Sequence, residues 1–76
     1  MGKIVVDYRS DGKDKWETIV YFPSKKHAEN ASKIFQKIFK HRKFAKNIST
    51  RKNRVIIPAY ILEDTILKIV EENMIF

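Results

Sequence analysis

Two runs rich in β-branched and aromatic residues, Lys3 to Arg9 (KIVVDYR) and Lys15 to Phe22 (KWETIVYF), flank Asp11-Gly12 and predict a hairpin over residues 3–22. Pairing across a two-residue loop sets Val6 against Glu17 and Tyr8 against Lys15, which mixes apolar with charged positions on both faces. A three-residue loop, Ser10-Asp11-Gly12 with Gly12 in the left-handed region, instead gathers Ile4, Val6, Tyr8, Trp16, Thr18, Val20 and Phe22 on one face. It also puts Asp7 opposite Lys15 on the other face. Sliding the strands by two keeps the apolar face but opposes Arg9 to Lys15 and Asp7 to Glu17, so like charges meet. The expected register therefore has Val6 across from Trp16.

Pro23 ends the second strand, and Ser24 is a good N-cap for a helix starting at residue 25. From residue 25 to 43 the apolar residues Ala28, Ala31, Ile34, Phe35, Ile38 and Phe39 fall within an arc of roughly 140° at 100° per residue, as in an amphipathic helix. Lys25, Lys26, Lys33, Lys37, Lys40 and Lys43 fall on the opposite side, with Glu29, Ser32 and Gln36 among them. Arg42 points toward the apolar arc, so the helix is expected to fray or end near it. Residues 44–53 (FAKNISTRKN) have no periodicity and read as a basic loop. Residues 54–57 (RVII) read as a short buried strand, and Pro58 suits the first position of a helix over 58–73 with Leu62, Ile66, Ile69 and Val70 as its stripe.

The resulting order, β-β-α-β-α, predicts one α+β domain over residues 1–76: a three-stranded, mostly antiparallel sheet with two helices packed on one face. The third strand can pair with either strand of the hairpin. The sheet's other face would carry Val5, Asp7, Arg9, Lys15, Glu17, Ile19 and Tyr21. Three readings of it stand side by side. It could be a base-stacking platform with Tyr21 under a base and Arg9 and Lys15 on phosphates. It could be a homodimer or partner interface through Val5, Ile19 and Tyr21. Or the chain termini, including Met74-Ile75-Phe76, could shield it.

Charge changes the picture more than composition does. Of 76 residues, 43% are hydrophobic, enough for a core, and 16 are basic against 9 acidic. Residues 24–54 hold eleven of the basic residues against Glu29 alone, a local charge of +10, whereas residues 1–23 are neutral and residues 55–76 carry −3. Concentration of this kind predicts a polyanionic partner. Twelve lysines outnumber four arginines, a balance that suits point contacts with phosphate over bidentate reading of guanine.

Other chemistry is weakly supported. Cysteine is absent, so there is no disulfide, thiol nucleophile or cysteine zinc site. His27 and His41 lie about 21 Å apart along one helix and cannot share a metal. Asp64 and Glu71 stand ~10 Å apart along theirs, which suits a solvated face or a protein contact. The hairpin acids Asp7, Asp14 and Glu17 alternate with Arg9 and Lys15, so cross-strand pairing accounts for them. Two glycines leave no phosphate-cradling loop. Asn47-Ile48-Ser49 matches the glycosylation sequon, but an intracellular chain would not use it. No membrane span is legible, and Met1-Gly2-Lys3-Ile4 leads into a strand rather than a signal peptide, so an intracellular, cytoplasmic and even nucleoid-associated setting is expected. No enzyme activity, cofactor or small-molecule substrate is expected.

The candidate nucleic-acid-binding residues are thus Lys25, Lys26, Lys33, Lys37, Lys40, Lys43, Lys46, Arg51, Lys52 and Arg54. Arg51 and Arg54, with Asn47 and Asn53, are the best placed for any base contact. Ser24-Lys25-Lys26-His27-Ala28-Glu29-Asn30-Ala31 resembles the start of the second helix of double-stranded RNA-binding domains, Ser/Thr-Lys-Lys-x-Ala-Lys-x-x-Ala, whose lysines reach phosphates across a major groove. Lys25 and Lys26 match, Glu29 reverses the third lysine, and that family's first helix, third strand and glycine-rich turn are missing. The likeness is local and assigns no family. Two functions are therefore expected. The first is a small non-enzymatic protein that binds DNA or RNA with low sequence specificity; the second is a regulatory or inhibitory protein that docks on an acidic protein surface.

Overall fold

The computed structural model describes residues 3–73. Strands β1 (Val5–Ser10) and β2 (Trp16–Tyr21) lead into helix α1 (Lys25–Ile38), a single 3-10 turn (Ala45–Asn47), strands β3 (Ser49–Arg51) and β4 (Arg54–Ile57), and helix α2 (Glu63–Asn73). The fold is α+β, with two helices and an antiparallel sheet of four strands in the order β1-β2-β4-β3. The expected count of three strands is corrected by β3, which lies inside the stretch read as a loop over 44–53. The strand at 54–57 pairs with β2 on one side and β3 on the other.

The hairpin register differs from the expected one. Val6 pairs with Val20, Asp7 with Ile19 and Ser10 with Trp16, across a loop of residues 11–15. The slide is by four residues, an even number, so every side chain keeps its expected face. The longer loop sets Arg9 directly opposite Glu17, and the two form an ion pair at 3.1 Å in place of the expected Asp7–Lys15 opposition. Gly12 is left-handed as expected, at φ +80°, and Asp14 joins it at +64°. The loop is closed by the Asp11 amide on the Lys15 carbonyl (3.2 Å) and the Lys13 amide on Asp11 Oδ1 (2.8 Å).

Ser24 caps α1 by accepting the His27 amide, and Ala28, Ala31 and Phe35 enter the core. The helix ends at Ile38, short of the expected residue 43. Continued helix would drive Arg42 into the apolar layer. Turns at Phe39–Arg42 and Arg42–Ala45 instead swing Phe44 back onto Phe39, with ring centroids 5.5 Å apart, and Arg42 over the Phe44 ring. Ala45 and Ile48 are then buried. Ser32, expected on the polar side, is also buried.

The last helix starts at Glu63, not Pro58. Thr18, fully buried on β2, explains the delay: its hydroxyl donates to the Ala59 carbonyl (2.7 Å) and accepts the Ile61 amide (2.9 Å). Those backbone groups are held in a non-helical segment that bends at Pro58 and Ala59, where the Ala59 amide donates to the Ile57 carbonyl (2.8 Å), and Tyr8 adds a hydrogen bond to the Ile61 carbonyl (2.6 Å). Leu62, expected in the stripe, is 61% exposed, while Ile66, Ile69 and Val70 are buried. They close one core with Val20 and Phe22 of the β2 end, Val55 and Ile57 of β4, and the α1 stripe. The expected packing of the tail 74–76 lies outside the described residues.

The β3–β4 connection is the two-residue turn Lys52-Asn53, with Lys52 left-handed at φ +56°. A side chain with a Cβ costs about 1–2 kcal/mol there, and glycine returns part of that as chain entropy. Lys52→Gly is therefore expected to stabilise the fold by up to about 1 kcal/mol, read as a higher urea midpoint at unchanged m-value.

Candidate nucleic-acid interface

Lys26, Lys33 and Lys37 lie within about 40° of one another on the side of α1 away from Phe35, at 100° per residue. All are exposed, as is Lys25. Lys25 and Lys26 occupy the first turn, which contains no acid. Cations at the positive end of a helix dipole cost about 0.3–1 kcal/mol each, a cost that an anion bound there would offset.

Gln36 ties α1 to the chain beyond it by donating to the Ile48 carbonyl (3.1 Å). Edge strand β3 is thereby held beside the helix, and a shallow groove runs between them. One end, about 410 Å³, is bordered by Glu29, Ser32, Lys33, Gln36 and Thr50. A second depression on the other side of Gln36 is bordered by Lys40, Ala45 and Lys46. Lys33 on one side of Gln36, and Lys40 and Lys46 on the other, therefore border two adjoining depressions, and Lys26 and Lys37 share the outward side of α1 with Lys33. Lys43 is exposed in the turn after α1.

Arg51 and Arg54 are placed differently. Thr50 and its partner Val55 face α1 and the core, so their neighbours Arg51 and Arg54, paired across the strands, project from the other face of the sheet. Arg54 sits over the Tyr21 ring at 5.9 Å, and the register continues Arg51–Arg54–Tyr21–Val5 across all four strands. Lys52 occupies the turn between the two faces. Asn53, singled out for base contact, is committed to structure: its amide donates to the Phe22 carbonyl (2.8 Å), and its own carbonyl accepts the Phe22 amide (2.8 Å). Asn47 is exposed in the 3-10 turn.

The only ion pair among the described residues is Arg9–Glu17. None of the ten candidate basic residues has a carboxylate within 4.0 Å there, neither Glu29 nor the acids of α2.

On the open face, Ile19 is corrected as an interface residue. It lies on central strand β2 between Asp7 and Ile56 in register, and is 7% exposed. Val5 is 45% exposed, and Tyr21 is half-buried beneath Arg54.

One surface cluster escaped the sequence reading. Tyr60 stacks on Tyr8 at 4.6 Å and meets Trp16 edge-on at 5.7 Å. Trp16 and Tyr8 have the parity of the packed face, but α2 begins too late to cover them. The Tyr8 phenol is raised above the ordinary tyrosine value by desolvation, then by Tyr60, Glu63 and Asp64. The raised value means that the neutral phenol, donor to Ile61, favours the fold, and that this contribution is lost as pH rises through the folded-state pKa. Alkaline ultraviolet titration of the wild type against Tyr8→Phe should isolate one phenol ionising above about 10; a difference transition below that value would contradict the assignment.

Comparison of the chain with protein-family models, curated proteins and solved structures gives no match. No group of three or more His, Asp or Glu side chains able to hold a metal occurs among the described residues, nor any helix long and apolar enough to cross a membrane.

Proposed function

We propose that the protein is a small, non-enzymatic nucleic-acid-binding protein that engages phosphates through α1 and the groove beside β3. One observation carries the reading: Lys26, Lys33, Lys37, Lys40 and Lys46 share the helix side of the molecule, with no described carboxylate within ion-pairing distance of any of them. Like charges gathered with Glu29 as the single acid beside them repel one another, and a phosphate backbone relieves that repulsion while releasing its own condensed cations. Lysine ammonium groups on a convex helix give affinity without a fixed hydrogen-bond pattern, so low sequence specificity is expected. An intracellular setting, where nucleic acid is abundant, goes with this reading.

Fluorescence anisotropy with labelled duplex and single-stranded DNA and RNA, across a salt series, tests the proposal. If those five lysines each neutralise a phosphate of a duplex, log K against log[salt] should fall with a slope of about −4 to −5. Absence of binding at ~50 mM salt, or binding insensitive to salt, would overturn it. In the former case the same basic surface would suit an acidic protein partner, recovered by pull-down with the wild-type chain.

A further inference from the structure

Tyr8, Trp16 and Tyr60 form a connected set of rings on the β1 side of the sheet, the edge opposite β3. Trp16 is 44% exposed, Tyr60 53% and Leu62 61%. Large apolar side chains left open side by side are the usual mark of a docking surface. Trp16 and Tyr60 meet at 83°, so their rings form a corner. On one side of it a depression is bordered by Trp16 and Pro58 with charges of both signs, Arg9, Lys15, Asp11 and Glu17; on the other, one is bordered by Tyr60, Leu62, Glu63 and Asp64, whose charges are acidic only.

Charge selects the occupant. The chain carries +7, yet Glu63 and Asp64 stand beside the rings without an ion-pair partner among the described residues. Glu17 is already held by Arg9. A phosphate backbone laid over Tyr60 would meet those two carboxylates, so base stacking is disfavoured here although the rings are open. A guanidinium suits both features, because its plane stacks on aromatic faces and its edge pairs with a carboxylate. The two depressions are open and shallow, and an extended segment lies along such a surface with little conformational entropy to lose.

We propose that this face docks an extended, arginine-bearing segment of a partner protein, its guanidinium stacked on Tyr60 in the depression that Glu63 and Asp64 border and paired with one of them, with the segment running on past Trp16. The surface lies toward the β1 edge of the sheet and the lysines toward the β3 edge, so one molecule could hold a polyanion and a basic segment together.

A fluorescein-labelled hexapeptide of alternating proline and arginine tests this directly. Trp16 is the only tryptophan in the chain, so its emission reports on the site while anisotropy reports binding. Saturable binding with a change in Trp16 emission is expected. Tyr60→Ala, and separately Glu63→Gln with Asp64→Asn, should each weaken binding about tenfold. Lys33→Glu with Lys37→Glu should not weaken it. The carboxamide pair keeps the inference testable if Tyr60→Ala alters the fold, which circular dichroism would reveal. Failure to bind, or binding indifferent to both sets of changes, overturns the inference. So does displacement of the peptide by a single-stranded oligonucleotide with the same change in Trp16 emission, which would assign the rings to bases. A concentration-dependent mass in sedimentation that disappears in Tyr60→Ala would assign the face to a second copy of this chain and equally overturn it.

Discussion

Thr18→Val should lower the melting temperature by roughly 8–24 °C, the largest stability effect expected of any substitution that preserves side-chain shape. The hydroxyl is fully buried and serves two backbone groups, the Ala59 carbonyl and the Ile61 amide. Valine fills the same space but leaves both groups without their partner. Each such loss costs about 1–3 kcal/mol, less where water can enter. Residues 58–61 are partly exposed, so a total of about 2–3 kcal/mol is expected. Against roughly 4–11 kcal/mol for a domain of this length, that is a large fraction. A domain of 60–100 residues loses about 4–8 °C per kcal/mol. Thr18→Ser retains the hydroxyl and should cost only about 1 kcal/mol for the methyl group. The two variants also separate in spectroscopy, because release of residues 58–62 frees Tyr60 from the Trp16 edge and the Tyr8 face. Near-ultraviolet dichroism of folded Thr18→Val should therefore change where that of Thr18→Ser does not. Equal melting temperatures for the two variants would remove Thr18 as the pin of this segment.

The same threonine shows where sequence reasoning stopped. Pro58 followed by Leu62, Ile66, Ile69 and Val70 reads as a helix from residue 58, because local pattern and proline preference agree. What unwinds its first turn is a side chain about forty residues away, and no local signal announces a buried hydroxyl with two backbone partners. Tyr60 was lost with it, since a residue placed within a helix would not be sought beside Tyr8 and Trp16. Strand β3 was hidden for another reason. Ser49-Thr50-Arg51 is short, polar and exposed, and its turn places lysine where glycine or asparagine is the usual signal. Alternation and capping were legible: the faces of β1 and β2, the Ser24 cap and the buried stripe of α1 are all set by spacing. Register was legible only to within an even slide, because loop length had to be assumed. Charge does not decide it, because each register opposes one acid to one base, Asp7 to Lys15 in the shorter loop and Arg9 to Glu17 in the observed one.

For the candidate site, linear charge located the segment but not its division between two faces. Lysines on α1 and arginines on β3 and β4 are close in sequence, yet the sheet lies between them. That division supplies the second large prediction. Lys33→Glu, Lys37→Glu and Lys40→Glu together should weaken duplex binding by at least about a hundredfold at ~50 mM salt, and flatten the salt dependence by about three units, one for each phosphate no longer neutralised. The variant should remain folded, because all three side chains are exposed and the new like-charge neighbours on α1 cost only about 0.2–0.5 kcal/mol each. Arg51→Glu with Arg54→Glu changes four charges on the opposite face of the sheet. Long-range attraction is screened beyond about 10 Å at 0.1 M salt, so a site confined to the helix side should feel that change mainly at lower salt. At physiological salt the arginine pair should therefore alter duplex affinity by no more than a few fold. Comparable losses from both sets would mean that the nucleic acid wraps the edge at β3, with Lys52 at the crossing point. No loss from the lysine set would leave the helix side without a role in binding. The ratio of the two effects, measured at the same salt, locates the phosphate path on one side of the sheet or around its edge.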